Sequence, residues 1–220
     1  MIKLYDYELS GNCFKVRQLM AWLGLSFQRV PIDFFPGKEH KSPHFVDNVN
    51  PLGQLPVIDD DGFLLRDAQA IMVYLASRYD PRKSWYPDDA KLRGQITIWL
   101  GTADEITRTA SAARLHDMLG YPFDVDACRR GAHAVFRVLD DHLAERASDG
   151  LQWLAGDRPT IADLACFPYA ALSHDGGIAL DEYPALRAWI WNFRHLPGFV
   201  GMAGIPPPNP AIVPIDPGAP

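Results

Sequence analysis

The sequence predicts an α/β unit followed by an all-helical one, and three observations carry that prediction. Residues 1–80 alternate short β-forming runs with runs of helical period. A polar stretch at 81–88, Pro81-Arg82-Lys83-Ser84 and then Pro87-Asp88, interrupts the alternation. From 89 to 205 the apolar residues recur at helical spacing.

Element by element, Ile2-Lys3-Leu4-Tyr5 reads as a strand. A helix starts at Cys13, with Val16, Leu19, Met20 and Leu23 on one face and Gly24 as its stop. Residues 27–32 form a second strand. Residues 55–59 and 63–65 make a hairpin across Asp60-Asp61-Gly62. Asp67 stands where a helix should begin, ahead of Ile71, Met72, Tyr74 and Leu75. Four further helices follow, at 89–117, 124–147, 160–172 and 184–195. Trp99, Trp189 and Trp191 are assigned to the helical core. Thr160 and Asp163 form a capping pair whose role is structural, a cap being worth about 1 kcal/mol. The segment 206–220 is too rich in proline for a helix or an interior strand, so it is a disordered end or an extended strap.

Composition narrows the function. With 220 residues, 48% of them hydrophobic, the chain can bury a core. A net charge of −6 argues against a nucleic-acid partner, which would want a basic stripe. No apolar run is long enough to cross a membrane, and the start lacks a signal-peptide core. Cys13, Cys128 and Cys166 are odd in number and lack metal-ligand spacing, which suggests a reduced, cytoplasmic setting. His40 and His44 are four residues apart, but Pro43 intervenes and no third ligand is evident, so no metal is expected.

Residues 50–71 are the most telling. Pro56 lies at a strand entry, where it cannot donate to a ladder and leaves neighbouring backbone groups unpaired. Asp67 marks a helix start, which attracts anions. Together they suit an extended peptide that carries a carboxylate.

The run Asn50-Pro51-Leu52-Gly53-Gln54-Leu55-Pro56-Val57, with Leu65-Arg66-Asp67 and Gln69-Ala70-Ile71 behind it, resembles the glutathione-binding half of the cytosolic glutathione transferases. Ser10-Gly11-Asn12-Cys13-Phe14-Lys15-Val16-Arg17 resembles the catalytic loop and first helix of bacterial members with theta-, beta-, zeta- and nu-like features. Trp153 through Asp163, Tyr183-Pro184-Ala185-Leu186 and Leu196-Pro197-Gly198-Phe199 follow in the family's order. The resemblance implies a thioredoxin-like domain at 1–80, a linker at 81–88 and an all-α domain at 89–205. It also implies a cytoplasmic homodimer that uses glutathione as co-substrate and joins its thiolate to a small electrophile. Glutathione-dependent disulfide or peroxide chemistry through Cys13, and a non-catalytic binding role, are the alternatives.

A thiol must ionise to react, and lowering its pKa by two units takes about 2.7 kcal/mol. The loop before the first helix is placed to supply this. By resemblance the group at sulfur is Ser10, Asn12 or Cys13. Leu55 would offer its backbone N–H and C=O across a cis bond to Pro56. Asp67 would pair with the γ-glutamyl amine, while the amides of Asp67 and Ala68 receive its carboxylate. His40, Lys41 and Gln54 would hold the glycyl end. Ala68 departs from the family's usual Ser or Thr, a loss of roughly 1.5–3 kcal/mol in a hydrogen bond to a charged group. The second substrate is expected near Thr107, Arg108, Ser111, Arg114 and Leu115, walled by Phe34 or Phe35. Asp104 is expected to reach across a dimer to the partner's glutathione.

Overall fold

Side-chain alternation in the first strand decides how the amino-terminal half is layered. In β1 (Ile2–Asp6) the residues Ile2, Leu4 and Asp6 are buried on one face. The computed structural model, which describes residues 1–208, shows what covers each face. Ile2 and Leu4 pack on α1 (Gly11–Trp22) and α3 (Ala68–Tyr79) through Phe14, Leu19, Ile71 and Leu75. The opposite face, with Tyr5 and Val57, meets Phe45 of α2 (Pro43–Asn48). Asp6 is buried but not unpaired: Arg17 of α1 and Arg29 of β2 (Phe27–Pro31) both hold its carboxylate, the latter at 2.6 Å.

The sheet has the order β2-β1-β3-β4, with β3 at Val57–Asp60 and β4 at Phe63–Arg66. β1 runs parallel to β2 and antiparallel to β3, and β3 pairs antiparallel with β4. The β-α-β, β-β-α order is the thioredoxin-like arrangement. α1 ends as its sequence predicts: Gly24 takes a left-handed φ of 64° and the next N–H, from Leu25, bonds back to the Met20 carbonyl at 2.9 Å. The Leu55–Pro56 bond leading into β3 is cis, and so is Phe35–Pro36.

Helices make up the rest. α4 (Ala90–Ile106) starts at Asp89, whose carboxylate accepts from the Leu92 N–H at 2.8 Å. The single helix expected over 89–117 is divided: a π turn at Thr107–Ser111 separates α4 from α5 (Ala112–Leu119). α6 (Val125–Ser148) starts on Asp124, and α8 (Pro184–Arg194) begins with its proline in the first turn.

α7 (Ile161–Ala171) is buried on nearly every side. Its start is a capping box between Thr160 and Asp163, and Asp163 also accepts from the Leu154 N–H and Trp189 Nε1, each at 2.9 Å. Burial pushes this carboxyl up to about 6, while the surrounding N–H donors pull it back towards ionisation. Trp99 and Trp189 are core residues, as expected; Trp191, by contrast, is 46% exposed on the outer side of α8.

After α8 the chain returns to the amino-terminal half. Gln18 of α1 donates to the Gly198 carbonyl and accepts from the Val200 N–H, and Phe199 packs on Phe14. The proline-rich tail is described only to Pro208, and the expectation for 209–220 lies outside the described residues. No helix among the described residues is long and apolar enough to cross a membrane.

Candidate active site

Segments remote in sequence wall a single cleft of about 560 Å³: the loop from β1 into α1, the stretch between β2 and α2, the approach to β3 with the start of α3, the α4–π turn–α5 rod, and Tyr169 of α7. Of the residues expected at the site, Ser10, Asn12, His40, Lys41, Gln54, Leu55, Pro56, Asp67 and Ala68 all line it, as do Arg108, Ser111 and Arg114.

The α1 start is built from hydroxyls and amides. Ser10 is the N-cap, and its Oγ accepts from the Cys13 N–H at 3.2 Å, which leaves the hydroxyl proton for another acceptor. The neighbouring amide, from Asn12, donates to the Tyr169 hydroxyl at 3.3 Å. Asn12 Oδ1 is buried without a partner among the described residues. Cys13 does not reach the cleft. It is fully buried, and desolvation, with Asp6 adding to it, pushes its thiol up to about 12. The route through Cys13 therefore has no reactive thiolate in this arrangement.

At the α3 start, Asp67 adopts φ 75° and ψ 126°, a strained conformation for a residue with a Cβ, and its carboxylate accepts from the Ala70 N–H at 2.9 Å. Next to it, Gln69 donates to Asp104 of α4, so Asp104 faces the cleft of its own chain. Burial, then the nearby Asp67, raises the Asp104 pKa, opposed by Lys15. Ala68 is buried and brings no hydroxyl.

His40 stacks on Phe34 with ring centroids 4.1 Å apart. Burial first, and Lys41 and Lys38 next, depress its pKa to about 4, so the ring is neutral at pH 7. Gly53 fits between these groups only because it has no side chain: its φ is 55° and a Cβ would come within 2.6 Å of the His40 carbonyl. Asn50 secures the same turn, donating to the Gln54 carbonyl and accepting from the Leu52 N–H.

The opposite wall differs from expectation in two places. Phe35 is 40% exposed and does not line the cleft; its neighbour Phe34 does, held between Tyr7 and His40. Arg114 lines the cleft with its charge already committed, to Asp175 at 2.8 Å and the Leu9 carbonyl at 3.0 Å. Arg108 is exposed and bridges Glu105. Tyr7, Tyr121, Phe123 and Tyr169 also line the cleft, and sequence reasoning passed over them. Their only early signal was an aromatic residue beside the Ser10 loop and another pair just after the 89–117 rod.

Residues 4–83 match the family description "Glutathione S-transferase, N-terminal domain", and residues 122–190 match "Glutathione S-transferase, C-terminal domain". The chain is 30% identical over 200 residues to a maleylacetoacetate isomerase of Pseudomonas aeruginosa, covering 84% of this chain and 88% of the relative. Among solved structures, a glutathione S-transferase from Xanthobacter autotrophicus superposes with a TM-score of 0.80 at 28% identity, covering 94% of this chain and 98% of the other. Ure2p in complex with glutathione superposes with a TM-score of 0.76 at 27% identity, covering 90% and 96%.

Proposed function

The chain belongs to the glutathione S-transferase family, and on that premise we propose that it binds glutathione in this cleft and joins its thiolate to a small electrophile. One observation carries the reading: the Ser10 hydroxyl at the start of α1 opens on the same cleft as the strained Asp67 at the start of α3.

Ser10 donates its hydroxyl hydrogen bond to sulfur and so favours the thiolate; the thiol proton leaves to solvent. Asn12 offers its side chain beside it. Asp67 pairs with the γ-glutamyl amine, and the Ala68 amide at the helix start takes the carboxylate. The Leu55 backbone groups pair with the cysteinyl part. His40, as a neutral donor, Lys41 and Gln54 hold the glycyl end. Arg108, Ser111, Phe34 and the aromatic wall hold the electrophile. A new C–S bond then forms at the electrophilic carbon as its leaving group departs with the electron pair; proximity and thiolate activation supply most of the rate. The proposal includes a cytoplasmic homodimer. The relative's glutathione complex supports the ligand, and the buried Cys13 thiol favours this reading over disulfide chemistry.

Retention on glutathione resin together with turnover of chlorodinitrobenzene is the expected result. No rise in melting temperature at millimolar glutathione would instead favour a scaffold that has lost the ligand.

A further inference from the structure

We propose that the Tyr169 hydroxyl, from the helical domain, is a second hydrogen-bond donor to the sulfur, working beside Ser10. The inference rests on the glutathione reading above and adds a catalytic residue to it.

Two amides in the first turn of α1 go to side-chain hydroxyls rather than to backbone carbonyls. Cys13 N–H donates to Ser10 Oγ at 3.2 Å, and Asn12 N–H donates to Tyr169 Oη at 3.3 Å. The two amides are consecutive at the helix start, and both hydroxyl-bearing residues line the cleft. Each hydroxyl accepts from the backbone and keeps its own proton. Among the described residues the Tyr169 proton has no acceptor. A hydroxyl that accepts a hydrogen bond is a better donor, so the positive end of the helix is relayed through both oxygens.

The packing around Tyr169 is specific. A Cβ on Gly11 would fall 2.8 Å from the ring, so the ring reaches the helix start only because residue 11 is glycine. Lys15 lies beneath: it is fully buried, its Nζ has no hydrogen-bond partner among the described residues, and it stands 5.7 Å from the ring centroid. Cys166 of α7, Asp104 of α4 and Asp67 are the titratable groups around that amine. The ammonium polarises the phenol towards donation. Neither hydroxyl takes the thiol proton, which goes to solvent; the two O–H groups stabilise the anion left behind.

The test is an ultraviolet pH titration of the thiolate of bound glutathione in the full-length wild type, Tyr169→Phe, Ser10→Ala and the double variant. Each single change should raise the titration midpoint by about one to two pH units, and the double should bring it to that of free glutathione. Below the midpoint, kcat/KM of Tyr169→Phe should fall about 10- to 100-fold, with less change in glutathione affinity. Gly11→Ala, which keeps the hydroxyl but displaces the ring, is the second variant and should move the midpoint the same way. A lowered midpoint in wild type that neither Tyr169→Phe nor Gly11→Ala alters overturns the proposal and leaves the transferase reading standing. Absence of glutathione binding in wild type overturns both.

Discussion

The Arg114 guanidinium donates to the Leu9 carbonyl at 3.0 Å, tying α5 to the loop that follows β1. It also holds Asp175 at 2.8 Å, and only 7% of Arg114 is exposed. Arg114 thus braces the cleft from within, whereas Arg108 is exposed and pairs with Glu105 of α4.

Arg114→Met should accordingly cost stability. It leaves Asp175 with only His174 as a partner and takes the guanidinium from the Leu9 carbonyl, a loss of about 2–4 kcal/mol. Urea denaturation measures this directly. Unchanged stability, with a raised KM for anionic acceptors alone, would make Arg114 a substrate receptor instead.

Ser10→Ala and Cys13→Ala should separate cleanly. The first removes a donor at sulfur and should lower kcat/KM about 10- to 100-fold at neutral pH. The second removes a buried thiol that does not line the cleft and should act on stability, by about 1 kcal/mol, leaving the bound thiol's titration in place. Hydroxyethyl-disulfide reduction that vanishes in Cys13→Ala and survives in Ser10→Ala would reverse the assignment.

Ala68→Ser restores a hydroxyl beside Asp67 at the start of α3. Calorimetry should show glutathione binding tightened about 10- to 100-fold. An unchanged Kd would mean that Gln69 or a neighbouring amide already satisfies the carboxylate.

Lys15→Met tests the buried amine. Burial lowers the folded-state pKa of Lys15 from 10.5 to about 8, against the pull of Cys166, Asp104 and Asp67. The folded protein therefore carries a penalty that is full below pH 8 and fades as pH rises through 10.5, above which both states are neutral. Lys15→Met should raise stability at neutral pH by on the order of 3 kcal/mol and flatten its rise through the alkaline range. Equal pH profiles in the two proteins would show that the amine is not desolvated.

How much of this was legible in the sequence depended on the range of the forces involved. Local chemistry was legible: Asp67, Asp89 and Thr160 cap helices where their short polar side chains stand before apolar periodicity, and Gly24 ends α1 by its backbone freedom. The cradle residues from His40 to Ala68 were legible by resemblance, and all of them line the cleft. Long-range pairings were not. Nothing near Arg114 in the chain points to Asp175 or Leu9, and nothing near Tyr169 points to the amide of Asn12, 157 positions away. Phe34 and Phe35 are indistinguishable by composition, and only the fold turns the first inward. The π turn escaped because a residue added to one turn does not disturb hydrophobic spacing enough to notice.

That widened turn at Thr107–Ser111 has an evolutionary corollary. A π turn fits one extra residue into a turn of the rod, so losing one residue there would leave a regular α-helix with everything after it in place. Leu115, Met118 and the aromatic pair Tyr121 and Phe123 would keep their places on the cleft wall. A lineage carrying this scaffold can therefore gain or shed a single codon in this turn while the cleft walls on either side of it keep their form.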